Sequence, residues 1–259
     1  GLDQPVGEWA INHIPRQMIR EAVDAVRREL DEPGGLCVTI FVPGGEEAAR
    51  KTFNPHLGIE GGISILGTSG IVEPMSVKAI VETTALELRQ AAASGARQLV
   101  LTPGNYGMES LPREIPVVRC SNFIGEALDG AGAEGFASVL LVGHIGKLVK
   151  LAGGIMNTHS RWADGRAELF CAHAALCGAD RDTARALMDS ATADQCLAVL
   201  DRAGLRAAVM SSLLEAAQNH LDRRAAGQFA VGAVTFSNQY GLLGMTRGAK
   251  EILNTWQIN

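Results

Sequence analysis

The chain is poor in aromatic side chains (5%) and in charge (20%), and the charge it carries leans acidic: 23 Lys and Arg against 28 Asp and Glu, a net of −5. That balance argues against a nucleic-acid binder with a basic face. The 47% hydrophobic content argues equally against a disordered acidic tail. No apolar run approaches the ~18 residues of a membrane span, and the opening G-L-D-Q-P-V-G-E-W has the pattern of neither a signal nor a transit peptide. A cytoplasmic protein without membrane or nucleic-acid partners is the expectation. The five cysteines (Cys37, Cys120, Cys171, Cys177 and Cys196) are odd in number and include no C-x-x-C, so reduced, mostly buried thiols are expected rather than a disulfide framework. His173 and Cys177 share a helical face near Cys171, but no second ligand pair accompanies them, and no protein metal site is expected.

Glycine, by contrast, is abundant: 30 of 259 residues, well above the ~7% of average proteins. Without a G-x-y period this means many tight turns in a folded chain. The length allows one large domain or two modest ones. Short apolar runs at Leu36 to Val42, Ile63 to Leu66, Leu99 to Thr102, Val117 to Arg119 and Val139 to Val142 predict buried strands. Between them lie helical patterns, over Pro15 to Leu30, from Val77 to Ala92, and from Asn122 to Ala133. Alternation of this kind predicts an α/β fold with an open, mostly parallel, Rossmann-like sheet over residues 1–160. Residues 161–259 are expected to add Ala- and Leu-rich helices, broken near Gly178, Ala191 to Asp194 and Gly204. A returning strand at Phe229 to Phe236 would pack on the sheet.

In an open parallel sheet, ligands sit outside the carboxyl ends of the strands. Three loops there carry unusual polar content: Gly67-Thr68-Ser69-Gly70 with Glu73 close behind, Pro103-Gly104-Asn105-Tyr106-Gly107, and Gly143-His144-Ile145-Gly146-Lys147. Glycines let a backbone approach a ligand, while hydroxyls, amides and helix starts receive polar or anionic groups. The G-H-I-G-K loop is not a Walker A motif: two residues separate its glycines and Leu148 follows Lys147. Neither G-x-G-x-x-G nor a G-x-S-x-G elbow occurs, which weakens the dinucleotide and hydrolase readings. His144 and His159 lie in loops where an imidazole can donate a hydrogen bond or move a proton.

The same residues carry a resemblance. I-N-H-I-P-R-Q-M-I (11–19), G-G-I-S-I-L-G-T-S-G-I-V-E-P-M-S (61–76), T-P-G-N-Y-G (102–107), C-S-N-F-I-G-E-A-L-D (120–129) and L-L-V-G-H-I-G-K-L-V-K-L-A-G-G-I-M-N-T-H-S (140–160) occur in order. Together they resemble the CbiD family of cobalt-precorrin-5B (C-1)-methyltransferases. The resemblance implies methyl transfer from S-adenosylmethionine to carbon 1 of a carboxylated tetrapyrrole, giving cobalt-precorrin-6A in anaerobic cobalamin biosynthesis, with cobalt only inside the substrate. It also implies a preceding domain with a Thr-Thr-Gly-Thr-type motif, and the chain opens at Gly1 without Met.

On that reading Gly67, Thr68, Ser69, Gly70, Glu73, Gly104, Asn105, Tyr106, Gly107, Gly143 and Gly146 are candidates for holding the methyl donor. His144, His159 and Asn122 are candidate catalytic groups, and Arg16, Arg119, Lys147, Lys150 and Arg161 are candidate partners for substrate carboxylates. A homo-oligomer is left open. So are two rival functions: a non-catalytic carrier of a corrinoid intermediate and a nucleotide-dependent oxidoreductase.

Overall fold

The computed structural model describes residues 3–31, 33–52, 54–65, 77–104 and 115–256. The chain divides into two compact units, Gly1–Ser76 and Val77–Asn259, so the segment after residue 160 belongs to the same unit as the sheet.

In the first unit, α1 (His13–Glu29) is amphipathic, with Arg27 and Arg28 in its last turn where they complement the helix dipole. A short α2 (Gly45–Arg50) and a 3₁₀ turn (Asn54–Leu57) follow. The strand expected at Leu36 to Val42 is not formed. These residues have no ladder partner, and their apolar side chains are open to solvent, Phe41 at 78% and Leu36 at 58%. The run has strand composition but no pairing partner among the described residues, and composition alone does not make a sheet. Among the described residues of the strand expected at Ile63 to Leu66, a single parallel bridge pairs Ile65 with Ile11.

The second unit is a mixed α/β fold. Its five-stranded sheet runs in the order β2-β1-β3-β4-β5, with β1 at Gln98–Thr102, β2 at Val117–Arg119, β3 at Ser138–His144, β4 at Ala230–Ser237 and β5 at Gly241–Met245. The first four are parallel, and β5 closes the edge as an antiparallel hairpin on β4. The expected mostly parallel sheet is thus present, and β5 extends it beyond what the sequence suggested.

Alternate residues of the central strands supply two cores. Leu99, Leu101, Val139 and Leu141 pack with α3 (Val77–Ala93), α4 (Ile124–Ala133) and the long α9 (Arg206–Ala225). Val100, Leu140 and Val142 pack on the other face against Ala249 and Ile252 of α10 (Arg247–Thr255). This two-sided burial explains why the strands read as unbroken apolar runs. At Gly232 of β4 a Cβ would lie 2.0 Å from the backbone nitrogen of Ala249, so glycine is what lets α10 approach the sheet this closely.

A four-residue α5 (Ile145–Leu148) and a 3₁₀ turn (Val149–Gly153) follow β3. Then come α6 (Arg166–Leu176), α7 (Arg181–Met188) and α8 (Ala193–Arg202), which form a third core with α9 around Phe170, Leu187, Leu197 and Leu200. The breaks fall where expected. Asp180 and Thr192 cap α7 and α8 by accepting from the Thr183 and Gln195 amides, and Gly204 takes a left-handed φ of +68° before α9.

Candidate functional site

The strand order reverses between β1 and β3, because β2 lies to one side of that pair and β4 to the other. In open α/β sheets ligands bind at such a switch point, outside the carboxyl ends of the strands. Three chain segments arrive there.

After β1, the Thr102 hydroxyl donates to the Gly104 carbonyl at 2.8 Å and accepts from the Gly104 amide, fixing the start of the loop. After β3, the Lys147 ammonium donates to the Pro103 carbonyl at 2.6 Å and so ties the two loops across the switch point. Gly143 permits this contact, since a Cβ there would meet the Pro103 ring at 2.9 Å. Gly146 donates its amide to Nδ1 of His144, the N-cap of α5, so the neutral imidazole carries its hydrogen on Nε2. Phe236 packs edge-on against that ring, with centroids 5.9 Å apart.

After β2, the chain runs through Arg119, Cys120, Ser121 and Asn122. Arg119 is exposed at the strand end, opposite Thr102 in the ladder. Ser121 adopts a left-handed φ of +52°, an uncommon geometry for a residue with a Cβ. Burial pushes the Cys120 thiol up to about 12, and the pull of neighbouring Lys147 does not offset it, so the sulfur stays protonated and is no nucleophile. The half-buried Lys147 is itself shifted below the usual lysine range, chiefly by desolvation.

A fourth segment, residues 154–164, is pinned against Asn122. The Asn122 carbonyl accepts from the Thr158 amide at 2.9 Å, and its side-chain oxygen accepts from the Thr158 hydroxyl at 3.1 Å. Lys150 is 2% exposed, and its ammonium donates to the carbonyls of Thr158 (3.0 Å) and Ala163 (2.8 Å) with Asp164 3.8 Å away. The turn leaves His159 and Arg161 exposed.

The sequence candidates therefore separate. Gly104, Gly143, His144, Gly146, Lys147, Arg119 and Asn122 all stand at the carboxyl edge of β1, β2 and β3. His159 and Arg161 occupy the turn that Asn122 anchors. Lys150 sits beneath that turn with its charge already engaged. Arg16 belongs to the other unit, where its guanidinium donates to the carbonyls of Ile11 (2.9 Å) and Trp9 (2.8 Å). Gly67, Thr68, Ser69, Gly70, Glu73, Asn105, Tyr106 and Gly107 lie outside the described residues.

Cys120 read from composition as a buried thiol and otherwise only as the start of the motif at 120–129, and the exposed Trp162 of the turn was not singled out. Among the described residues no group of three His, Cys, Asp or Glu side chains is placed to hold a metal ion; Nδ1 of His173 instead lies 2.8 Å from the Ser212 hydroxyl. No helix of the described residues is long and apolar enough to cross a membrane.

The second unit is thus an open, mostly parallel α/β sheet whose switch point between β1 and β3 gathers polar and cationic groups. The chain belongs to the CbiD family: the CbiD model matches residues 1–74 and the CbiD C-terminal domain model residues 157–247. Among its relatives is the cobalt-precorrin-5B C(1)-methyltransferase of Ruminiclostridium cellulolyticum, 48% identical over 92% of this chain and 63% of the relative. Proteins of the same name from Alkaliphilus metalliredigens and Moorella thermoacetica are 41% and 40% identical over 98% and 99% of this chain, and 67% and 71% of their own lengths. The chain thus spans roughly two thirds of these curated relatives. No solved structure matches it.

Proposed function

We propose that this chain serves the methylation of carbon 1 of cobalt-precorrin-5B, with S-adenosylmethionine as donor and cobalt-precorrin-6A as product, on a Rossmann-like sheet edge. One observation carries the reading: relatives bearing that name match 92–99% of the chain. The bound donor supplies an electrophilic methyl group on a positively charged sulfur.

The groups at the edge fit such ligands in a specific way. Lys147 and Arg119 favour carboxylates, those of the substrate or the amino-acid end of the donor, and they repel a sulfonium. The sulfur centre is therefore expected away from Lys147. The chain's own residues act chiefly by positioning, because methyl displacement needs alignment of the attacking carbon and no protein nucleophile. A protonated Cys120 agrees with that economy. His144 has Nδ1 engaged by the Gly146 amide, which leaves Nε2 as the nitrogen free to donate. It is the group we assign to polarise the macrocycle or receive a proton at its edge.

The test is transfer of isotopically labelled methyl from S-adenosylmethionine to cobalt-precorrin-5B, followed by mass spectrometry of the tetrapyrrole. We expect a singly methylated product, and a turnover number roughly 10²-fold lower in His144→Ala. Label staying in the donor with every tetrapyrrole offered would overturn the reading, and tight NADH binding would redirect it toward the oxidoreductase.

A further inference from the structure

We propose that the turn at residues 157–164 is the subsite for the flat face of the tetrapyrrole, with Trp162 stacking on the ring and Arg161 and His159 meeting carboxylates at its margin. The inference rests on the methyl-transfer reading and adds to it the residues that select this substrate class.

The first support is the contrast between the two sides of the turn. Facing the protein, nearly every anchor is satisfied. Lys150 holds the Thr158 and Ala163 carbonyls, Asn122 holds Thr158 twice, and the His159 amide donates to the Asn157 side chain at 3.2 Å. The Trp162 amide donates to the His159 carbonyl at 3.0 Å, and the Arg161 amide donates to Nδ1 of His159, also at 3.0 Å. Yet Trp162 is 69% exposed. The other described indole N–H on the sheet unit, that of Trp256, reaches the Ser138 hydroxyl at 3.0 Å, whereas Trp162 has no such bond among the described residues. A large aromatic held out on a fixed backbone loses little freedom when a flat ligand lands on it, which is the economy of a preorganised site.

Charge is the second support. Asp164, the acid nearest in sequence, is engaged by Arg166 through two hydrogen bonds and by Lys150. It therefore does not neutralise Arg161, whose guanidinium has no partner among the described residues. The turn presents an aromatic plane beside free positive charge, and a planar ring bearing carboxylates matches both. His159 accepts at Nδ1, so its neutral ring offers Nε2–H as a donor to the same rim. Lys150 is then a positioning residue, acting on the ligand only through the turn it holds.

Anaerobic calorimetric titration of the protein with cob(II)yrinic acid, a carboxylated cobalt corrin with one face free of axial ligand, and with cob(II)inamide, whose side chains are amides, tests this. Trp162→Ala should weaken both about tenfold, and Trp162→Phe should restore most of the loss. Arg161→Gln should weaken cobyrinic acid about fivefold at low salt, leave cobinamide unchanged, and lose its effect at high salt. Unaltered affinity in Trp162→Ala, or no binding of cobyrinic acid by the wild type, overturns the subsite. Methyl transfer by the wild type, assayed in parallel, shows whether the functional reading survives that failure or falls with it.

Discussion

Lys147 and Lys150 stand three residues apart after the same strand, and although desolvation lowers the pKa of both, the fold engages their charges differently. Lys147 is half-buried at the switch point, tied to one carbonyl, with its charge disfavoured by desolvation. Lys150 lies under the neighbouring turn, nearly inaccessible, with two carbonyls and an aspartate around its ammonium. A cation that the backbone has fully coordinated has little left for a ligand, while one held by a single contact at the strand ends can exchange that contact for a carboxylate. On the proposed function, the difference divides one motif into a part that builds the site and a part that meets what binds there.

The largest effect is expected at Lys150. Lys150→Met removes the donor from two carbonyls, each costing about 1–3 kcal/mol when left buried and unpaired. The unit is expected to lose about 2–4 kcal/mol, read as a lower urea midpoint. Lys150→Arg keeps a donor and should recover part of it. If Lys150→Met unfolds at the wild-type midpoint, the two lysines are alike and the division collapses.

At Lys147 the balance reverses. Lys147→Met relieves a desolvated charge and should change stability by less than about 1 kcal/mol. Its KM for the tetrapyrrole, however, should rise about tenfold, corresponding to ~1.4 kcal/mol of lost binding. The pH dependence carries the same sign. A lysine whose folded pKa lies below the ordinary 10.5 binds fewer protons folded than unfolded, so wild-type stability rises relative to the variant as pH climbs through the folded value toward 10.5. A wild-type-minus-variant difference flat across that range would show that Lys147 is as well solvated as a surface lysine.

Much of this architecture was legible in the chain. The runs at Leu99 to Thr102 and Val139 to Val142 are buried on both faces, and the stops near Gly178, Ala191 to Asp194 and Gly204 are caps and turns with local causes. What failed depended on partners. Leu36 to Val42 has strand composition but pairs with nothing among the described residues, whereas Gly241 to Met245 (G-L-L-G-M) lacks alternation and becomes a strand because β4 offers an edge. The site divides in the same way. Motif position placed Lys147, His144 and Asn122 near the strand ends, because loops after strands are local features. That Lys150 is used up by Thr158 and Ala163 depends on contacts eight and thirteen residues away, and periodicity carries no trace of them. Trp162 was not singled out at all, because a lone aromatic in a polar stretch does not show from sequence whether it is exposed.

The smallest expected effect decides what kind of clamp Lys150 makes. Asp164 is half-exposed, and the Arg166 side chain, with Lys150 helping, holds its carboxyl below the usual 3.8. A depressed carboxyl stabilises the fold above its unfolded pKa and loses that contribution as pH falls through the lower folded value. Asp164→Asn should therefore unfold with wild-type stability in strong acid. Above pH 3.8 it should fall short by only about 0.5 kcal/mol, because an exposed pair is screened by water and salt. The loss at Lys150 would then come from the carbonyls and not from the ion pair. If Asp164→Asn instead costs as much as Lys150→Met at neutral pH, the clamp is ionic. The turn carrying His159, Arg161 and Trp162 would then loosen in acid, with corrin affinity falling alongside stability.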